Sequence, residues 1–557
     1  MSLFVTGINL CNAQQRTVER IHMATDRALY VAGESIWLSL YCFDMSGQSL
    51  HFSQVSSVAY VELRNEAALV AGVKLRVQAG RGSGKLQIPP TLPTGNYRLI
   101  AYTKQMLNED KPSFFDKIIP VYNTLSTDRI SPSAPVEDKP LPNTSSQPFA
   151  VISPHIDLQW EGDKNSVPIN GVNTISLKNT SNEAMTLSVS IARTDVPPAQ
   201  GHTLRDFLAH TPNPAEIKFE QKYIPEYEGE IIRGRITNQD VVLSEHQSVF
   251  LSAVNGDLNL YASSIDARTG AFAFFTHSLY GNREIVLECP AVPEASFELF
   301  DSFVKPPVAP VPALYIDKEY ESFLVQRSVE MQVSHRFGID TLFDQTVVLD
   351  NPLLHNAKPV VYALDNYTRF PIMQDVMVEF VTELRFRTIN NRLFLQVLLE
   401  THSGWSFSEQ NTLVVIDGIA IFDHERLLRY DPLKVKTISI YPTSYYIGGH
   451  IFDGIAKFDT YTGNYPGLSL GRNALILDFE GAQYPCRFTG KAMTEGAEHL
   501  PDIRSLLYWD PQVDVPAGEN HEILMRTSSV PGKYAIVLEG ITSGGQPVYH
   551  RAEFRVE

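Results

Sequence analysis

The sequence predicts a mostly β protein built from several domains in a row, and three observations carry that prediction. The chain has 557 residues, whereas single domains average about 100–200 residues. Short alternating apolar runs recur between Gly- and Pro-rich turns, which is the pattern of β-sandwiches. Hydrophobic residues make up 43% and charged residues 20%, so each domain can bury its own core.

Residues 17–123 are predicted to form the first sandwich, with strands at 35–43, 57–63, 73–77, 85–88 and 97–103. Residues 25–37, TDRALYVAGESIW, resemble the opening of the second macroglobulin-like domain of α2-macroglobulins. Residues 92–103, LPTGNYRLIAYT, resemble the closing strands of the same domain. The resemblance implies a macroglobulin-type, immunoglobulin-like sandwich.

Four further segments follow it. Residues 124–148 are polar and rich in Pro and Ser, which predicts a linker. Residues 149–227 alternate at Ile156, Leu158 and Trp160 and are predicted to form a second, smaller macroglobulin-like sandwich. Residues 228–303 are predicted to form a third β unit, whose Gly-containing turns resemble carboxypeptidase regulatory-like domains. Residues 464–557 are predicted to be a separate C-terminal β-sandwich.

Residues 316–463 are predicted to combine a helical segment with an α+β domain. Asp417-Gly418 separates two apolar runs and is the preferred two-residue hairpin turn. Helices are predicted at 316–336 and 371–384, and strands at 435–440 and 455–460 flank Gly448-Gly449. The arrangement resembles the plug domain of TonB-dependent outer-membrane receptors. The chain ends about a hundred residues later, so a plug without its barrel is not expected to transport anything alone.

Residues 17–557 as a whole resemble Bacteroidota envelope proteins of unknown function that join a macroglobulin-type domain to a plug-like domain. The most specific stretches are 362–371 (YALDNYTRFP), 415–418 (VIDG) and 453–455 (DGI), and 508–511 (YWDP) adds to them. Residues 1–15 are interpreted as the remnant of a signal peptide, which predicts export to the periplasm or outer membrane. Lipidation at Cys11 is the less favoured interpretation. No later run reaches the ~18 apolar residues of a membrane helix.

The sequence gives little support for functions that need reactive side chains. A net charge of −17 argues against nucleic acid, because phosphate binding needs a basic surface. The run 80–86, GRGSGKL, has the wrong spacing for a phosphate loop and is predicted to be a hairpin. No His pair has the HExxH spacing, and no Cys precedes a Glu-Gln pair as in macroglobulin thioesters. Cys42, Cys289 and Cys486 are predicted to be buried thiols, and no catalytic residue, cofactor or metal is predicted.

Two groups of side chains remain as candidates. Asp417, Asp423, Asp431 and Asp453 could bind calcium or act as acid and base, but most adjoin turn residues, so a structural role is favoured. Tyr441, Tyr445, Tyr446 and Tyr461 are predicted to form a partner surface, the alternative being a strand edge covered by a neighbouring domain.

The sequence therefore predicts a non-enzymatic scaffold or accessory subunit of an outer-membrane protein complex. Its expected partner is an outer-membrane β-barrel protein or an envelope complex. One alternative is a peptide- or glycan-binding module in nutrient uptake. Another is a noncovalent macroglobulin-like protease inhibitor, and a hydrolase has the least support.

Overall fold

The computed structural model describes residues 17–47, 50–66, 68–130, 155–163, 166–194, 203–210, 217–238, 242–254, 258–292, 294–306, 308–314, 318–346, 354, 358–401, 404–409, 411–489 and 502–557. The chain divides into two compact units. Unit 1 comprises residues 1–227, 303–347 and 483–557, and unit 2 comprises residues 228–302 and 348–482. The chain therefore leaves unit 1 and returns to it twice. The predicted signal-peptide remnant and most of the predicted linker lie outside the described residues.

The elements are numbered in chain order. The N-terminal part holds β1 (Glu19–Thr25), β2 (Tyr30–Val31), β3 (Ser35–Asp44), β4 (His51–Phe52), β5 (Val58–Arg64), β6 (Leu69–Gln78), β7 (Arg81–Gln87), β8 (Gly95–Tyr102), β9 (Phe115–Tyr122), β10 (Ile156–Trp160), β11 (Val172–Asn179), β12 (Met185–Arg193) and α1 (Leu204–His210). The middle begins with β13 (Ile231–Ile236), β14 (Ser248–Ala253), β15 (Leu260–Ser264), β16 (Ala271–Phe275), β17 (Asn282–Glu288), β18 (Phe297–Leu299), α2 (Glu321–Arg336) and β19 (Asp344–Gln345).

The middle part of the chain continues with β20 (Val360–Ala363), α3 (Met373–Glu379), β21 (Leu384–Ile389), β22 (Arg392–Thr401), β23 (Gly404–Phe407), β24 (Leu413–Ile416), β25 (Ile419–Ile421), α4 (Glu425–Leu428), β26 (Val435–Ile447) and β27 (His450–Thr460). The C-terminal part holds β28 (Ala474–Glu480), β29 (Cys486–Arg487), β30 (Leu506–Val515), β31 (Asn520–Arg526), β32 (Gly532–Thr542) and β33 (Pro547–Val556). The predicted class, mostly β with several sheets, is confirmed.

The first nine strands of unit 1 form the predicted sandwich. Their order is β1-β3-β7-β6-β5-β8-β9-β2, with β4 beside β3, and β6 joins the two halves by pairing with both β5 and β7. The phosphate-loop-like run is a hairpin, as predicted: Ala79 and Gly80 turn at φ 49° and 71° between β6 and β7. A Cβ at Gly80 would lie 2.7 Å from the Cys42 carbonyl oxygen, so a side chain does not fit there.

The second sandwich of unit 1 is assembled from two distant parts of the chain. β31 pairs with β11 beside β10, and β12 lies between β30 and β32, with β33 outermost. The prediction of two separate sandwiches at 149–227 and 464–557 was therefore wrong. Residues 155–194 supply only three strands, and their apolar faces are covered by strands from the C-terminal segment. Alternation identifies the strands but does not identify their partners.

This pairing makes a testable prediction about residues 464–557 expressed alone. We expect that polypeptide to show no cooperative unfolding transition, because β31 and β32 would lose β11 and β12. Adding residues 155–194 in trans is expected to restore dispersed NMR amide signals. A well-dispersed spectrum from 464–557 alone would contradict the shared core.

Helix α2 belongs to unit 1, whereas the sequence prediction grouped it with residues 316–463. It is held by Arg327, which is 1% exposed and donates to both carboxylate oxygens of Glu34 at 2.9 and 3.0 Å. Arg327 also donates to the Leu29 carbonyl at 2.9 Å. On the same helix, Glu330 accepts from Arg193 Nη1 of β12 at 2.7 Å. These buried charge pairs fix the helix against both sandwiches of unit 1.

Unit 2 contains two packed sheets that match the predicted third β unit. Their orders are β16-β13-β18 and β15-β14-β17-β28. The predicted boundary at residue 303 is incomplete, because β28 pairs with β17 along seven residues. Residues 474–480 thus complete this sandwich and do not belong to a C-terminal one.

The rest of unit 2 is built on a five-stranded sheet with the order β20-β26-β27-β24-β25. The predicted hairpin at Asp417-Gly418 is confirmed, with Ile416 opposite Ile419, and β24 runs parallel to β27. The predicted helix at 371–384 is shorter, because α3 ends at Glu379 and Leu384 already begins β21. The sequence analysis also missed the antiparallel strands β21, β22 and β23, which separate α3 from the hairpin.

Candidate functional site

The four tyrosines of the predicted partner surface do not lie together. Tyr441 and Tyr445 form a T-shaped ring pair with centroids 6.4 Å apart and pack against a hydrophobic core. Tyr446 is 74% exposed near the tip of the β26–β27 hairpin. Tyr461 lies at the opposite end, just after Thr460, which pairs with Val435. Tyr446 lies opposite Ile451, ten residues before Tyr461, so at ~3.3 Å per residue the two tyrosines are roughly 33 Å apart along the strands.

At the base of the hairpin, Tyr461 joins a polar cluster. Its hydroxyl donates to Asp365 Oδ1, and this hydrogen bond is the main reason that the pKa of Tyr461 is raised. Arg369 Nη2 donates to the carbonyl oxygens of Pro432 and Val435 at 2.7 and 2.9 Å, and its Nη1 lies 3.4 Å from Asp365. The family-like stretch 362–371 is thus fastened to the start of β26 through Arg369.

Aromatic rings surround this cluster. Tyr367 stacks on Phe380 with centroids 4.4 Å apart and an angle of 2° between the rings, and Tyr362 and Phe370 lie within 6.3 Å of Phe380. Burial and a hydrogen bond to Glu383 raise the pKa of Tyr362. Tyr367 is 41% and Tyr461 50% exposed. We call these five residues the aromatic patch: Tyr362, Tyr367, Phe370, Phe380 and Tyr461.

The aromatic patch adjoins the edge of the five-stranded sheet. Tyr362 belongs to β20, which pairs with β26 and with no other described strand. Val361 of the same strand is exposed to solvent. Sequence analysis had selected Tyr461 but not the other four members. The signal was present as three aromatic residues within 362–370, but it was interpreted only as a family signature.

Three of the four candidate carboxylates accept hydrogen bonds from backbone N–H groups, and the fourth accepts from a serine hydroxyl. Asp417 is buried and accepts from the N–H of Thr460 at 2.8 Å, the hydroxyl of Thr460 at 2.6 Å and the N–H of Tyr465 at 2.6 Å. Asp423 and Asp431 each accept from an N–H two residues later. Asp453 accepts from Ser444 Oγ. These contacts agree with the favoured structural role and tie the carboxylates to four different places.

His424 is a buried histidine whose stability effect can be measured. Its Nδ1 accepts from the Leu395 N–H at 2.8 Å, and burial lowers its pKa to about 4. Between that pKa and the unfolded value of ~6.5, only the unfolded chain binds the proton, so the free energy of unfolding rises with pH. The total contribution across this window is up to about 3 kcal/mol.

We expect His424→Asn to reduce the pH dependence of the free energy of unfolding of unit 2. The Asn carbonyl can still accept from the Leu395 N–H, but it does not titrate. Urea unfolding at pH 7 and pH 5 tests this, with the exposed His246 replaced by Asn as the control. An unchanged pH slope in His424→Asn would contradict the assignment.

Cys42, Cys289 and Cys486 are buried free thiols, as predicted, and burial raises the pKa of Cys486 to about 12. Within the described ranges, no group of three or more His, Cys, Asp or Glu side chains is arranged to hold a metal ion. None of the helices in the described part of the chain is long and apolar enough to cross a bilayer.

No protein-family model and no curated protein matches the chain. Among solved structures it is similar to native Escherichia coli α2-macroglobulin, with 8% identity and a TM-score of 0.24, over 99% of this chain and 40% of that one. Salmonella α2-macroglobulin reacted with methylamine gives 9% identity and a TM-score of 0.23, over 97% and 39%. The chain spans about two fifths of these proteins. Both neighbours are α2-macroglobulins, which is the family that residues 25–37 resemble. TM-scores this low do not establish a common fold.

Proposed function

We propose that this chain is a non-enzymatic scaffold or accessory subunit of an outer-membrane protein complex, acting through protein–protein docking in the bacterial envelope. The observation that carries the proposal is the aromatic patch beside β20, which is an edge strand within the described part of the sheet. Tyrosine and arginine are enriched at interfaces, because a large apolar body carries a polar tip that can hydrogen-bond across the contact. Tyr367, Tyr461 and Arg369 supply this chemistry at one place.

The surrounding geometry supports a role in docking. Arg369 and the stack of Tyr367 on Phe380 hold the patch in one arrangement, so little side-chain freedom is lost on binding. Among the described residues β20 pairs only with β26, so its other edge offers backbone N–H and C=O groups to an added strand. The plug resemblance of residues 316–463 supports an outer-membrane β-barrel protein as the partner, and the signal-peptide interpretation supports export.

Site-specific photocrosslinking in the cell that makes the protein tests the proposal. We place p-benzoylphenylalanine at Val361, beside the patch, or at Tyr461, within it, because both positions are exposed. Adducts are expected with an outer-membrane β-barrel protein, identified by mass spectrometry. Phe275, exposed on β16 of the same unit, is the matched control and is expected to give no such adduct.

A probe near the tip of the β26–β27 hairpin compares the surface around Tyr446 with the aromatic patch. A probe at Tyr446 is expected to give fewer adducts than a probe at Tyr461, because Tyr446 lies about 33 Å away along the strands. Equal adducts at all four positions, or an uncrosslinked monomer throughout, would count against docking at the patch.

Peptide or glycan binding remains the second candidate. Tyr446 presents an exposed ring beside the Gly448-Gly449 turn, and an open ring face suits stacking on a sugar or an apolar side chain. Ligand-induced thermal shifts with peptide and glycan panels test it, and loss of the shift in Tyr446→Ala would favour it. The protease-inhibitor alternative rests on the macroglobulin resemblance alone.

A further inference from the structure

The sheet β21-β22-β23 presents a basic face to solvent, and the docking proposal assigns that face no role. The other face of the sheet packs into the core of unit 2 through Leu384, Leu395 and Val397. Successive side chains of a strand alternate between the two faces, so Arg385 and Arg387 of β21 lie on the side away from that core. Both arginines are exposed.

Arg392 of β22 lies on the same face. The two-residue turn at 390–391, with φ 49° and 61°, joins β21 to β22 and places Arg392 directly opposite Ile389. Directly opposed residues of an antiparallel pair share a face. At ~3.3 Å per residue, the level of Ile389 is about 13 Å along the strand from Arg385, so three guanidinium groups are gathered within that length.

Arg385 is held in place while its outer donors stay open. Its Nε donates to Gln396 Oε1 at 2.9 Å, and its guanidinium carbon lies 3.8 Å from the centroid of the Phe407 ring. Gln396 is itself buried and donates to the carbonyl oxygens of Ser408 and Glu409 at 2.6 and 2.9 Å. None of the described residues accepts from Nη1 or Nη2 of Arg385. The guanidinium group therefore loses little freedom when it binds an anion.

The charge of this face is not neutralised within the described part of the chain. Arg387 and Arg392 form no hydrogen bond or ion pair with any described residue. Of the nearby carboxylates, Glu383 already accepts from a tyrosine hydroxyl, and Glu400 lies at the opposite end of β22 from Arg392. In a chain whose net charge is −17, this local excess of positive charge attracts an anionic partner.

The aromatic rings of the face favour an acidic peptide over a nucleic acid. A stacking platform for bases needs several open ring faces. Arg385 covers the Phe407 ring and Phe394 is half-buried, whereas Trp405 is 60% exposed. One open tryptophan on the same sheet as three arginines is typical of the residues that dominate protein–protein interfaces. Guanidinium groups bind carboxylates through two parallel hydrogen bonds.

We propose that the basic face, formed by Arg385, Arg387 and Arg392, binds an acidic segment of a partner protein in an extended conformation. Alternate side chains of such a segment are ~6.6 Å apart, which is the spacing of Arg385 and Arg387 along β21. Carboxylates two residues apart can therefore pair with both arginines. Trp405 contacts an apolar side chain farther along the segment. This surface is additional to the aromatic patch, and the proposal does not depend on docking there.

Fluorescence anisotropy of the full chain with a labelled peptide that alternates Glu and Thr tests the proposal. A labelled peptide that alternates Lys and Thr is the comparison ligand. We expect the acidic peptide to bind at least about tenfold more tightly, with an affinity that falls as the salt concentration rises. No binding of the acidic peptide, or equal binding of the two peptides, overturns the proposal. Tighter binding of oligothymidylate or oligogalacturonate than of the acidic peptide also overturns it, in favour of a nucleic acid or an anionic glycan.

Paired variants localise the binding. Arg387→Gln combined with Arg392→Gln removes two exposed side chains without a described partner, so the fold is expected to be unchanged. Binding of the acidic peptide is expected to weaken at least about tenfold. Arg235→Gln combined with Arg268→Gln makes the same change of net charge at exposed positions elsewhere in unit 2 and is the matched control. Wild-type affinity in the first pair, or an equal loss in the control pair, overturns the assignment to this face.

Discussion

Replacing Arg327 by methionine is expected to lower the free energy of unfolding of unit 1 by about 3–5 kcal/mol. Methionine keeps much of the aliphatic volume but removes both donors to Glu34 and the donor to the Leu29 carbonyl. Removing one partner of a buried pair has this cost because the other charge stays buried with less compensation.

The same change is expected to make unit 1 more sensitive to acid. Burial by itself would raise the pKa of Glu34, but the guanidinium groups of Arg27 and Arg327 lower it overall. A lowered folded pKa stabilises the protein above the unfolded pKa, and this stabilisation is lost as pH falls through the folded value. Without Arg327 that pKa moves upward, so acid unfolding begins at a higher pH.

Chemical denaturation followed by hydrogen exchange of α2 peptides measures both effects. Arg336→Met, on the exposed last turn of the same helix, is the control, and its cost is expected to stay within about 0.5 kcal/mol. A cost for Arg327→Met as small as that of the control would mean that the Glu34 pair does not hold α2.

Replacing Asp417 by alanine is expected to destabilise unit 2 by about 4 kcal/mol. The carboxylate accepts two backbone N–H groups and one hydroxyl, and each hydrogen bond to a charged group contributes about 1.5–3 kcal/mol without simple additivity. Asp417 also holds φ at 48°, which disfavours alanine by about 1–2 kcal/mol.

Two comparison variants separate these causes. Asp417→Asn tolerates positive φ and keeps one acceptor, so its cost is expected to be about half that of alanine. Asp431→Ala removes a cap to one N–H on the surface of the same unit, with a cost of about 1 kcal/mol. Hydrogen exchange in β24 and β27 reports the loss, and unchanged protection in Asp417→Ala would refute the role of the turn.

Features set by local chemistry could be predicted from the sequence. Asp417-Gly418 and Gly448-Gly449 turn where positive φ is required, and the hairpins they close are present. The Gly-rich run near Gly80 was identified as a hairpin for the same reason. Such turns involve a few neighbouring residues, so their preference is visible without knowledge of the rest of the fold.

Long-range pairing could not be predicted. Nothing in the alternation of β31 indicates that its partner is β11, about 350 residues earlier. The apolar spacing in α2 likewise did not indicate that Arg327 is buried and pairs with Glu34 in the first sandwich. Both contacts are set by how the chain returns to unit 1, and single-sequence periodicity contains no information about that return.

In the candidate site, too, some features could be predicted from the sequence and others depend on long-range pairing. Aromatic residues favour surfaces of contact, so Tyr461 and Tyr446 could be selected from the sequence. That Tyr461 lies beside Tyr367 and Phe380, and far from Tyr446, follows from the antiparallel register of β26 and β27. Three distant segments of unit 1 also line one pocket, with Trp37, Glu330 and Phe488 among its residues, and motif analysis did not indicate it.

The divided second sandwich of unit 1 has a consequence for biosynthesis. The ribosome finishes β12 roughly 300 residues before β30. At ~5–20 residues per second, that interval is of the order of 15–60 s. During this interval the apolar faces of β11 and β12 are not yet covered by their partner strands from the C-terminal segment, so the nascent chain can mispair. A holding chaperone that binds these two strands would raise the yield of native protein most when translation is slow.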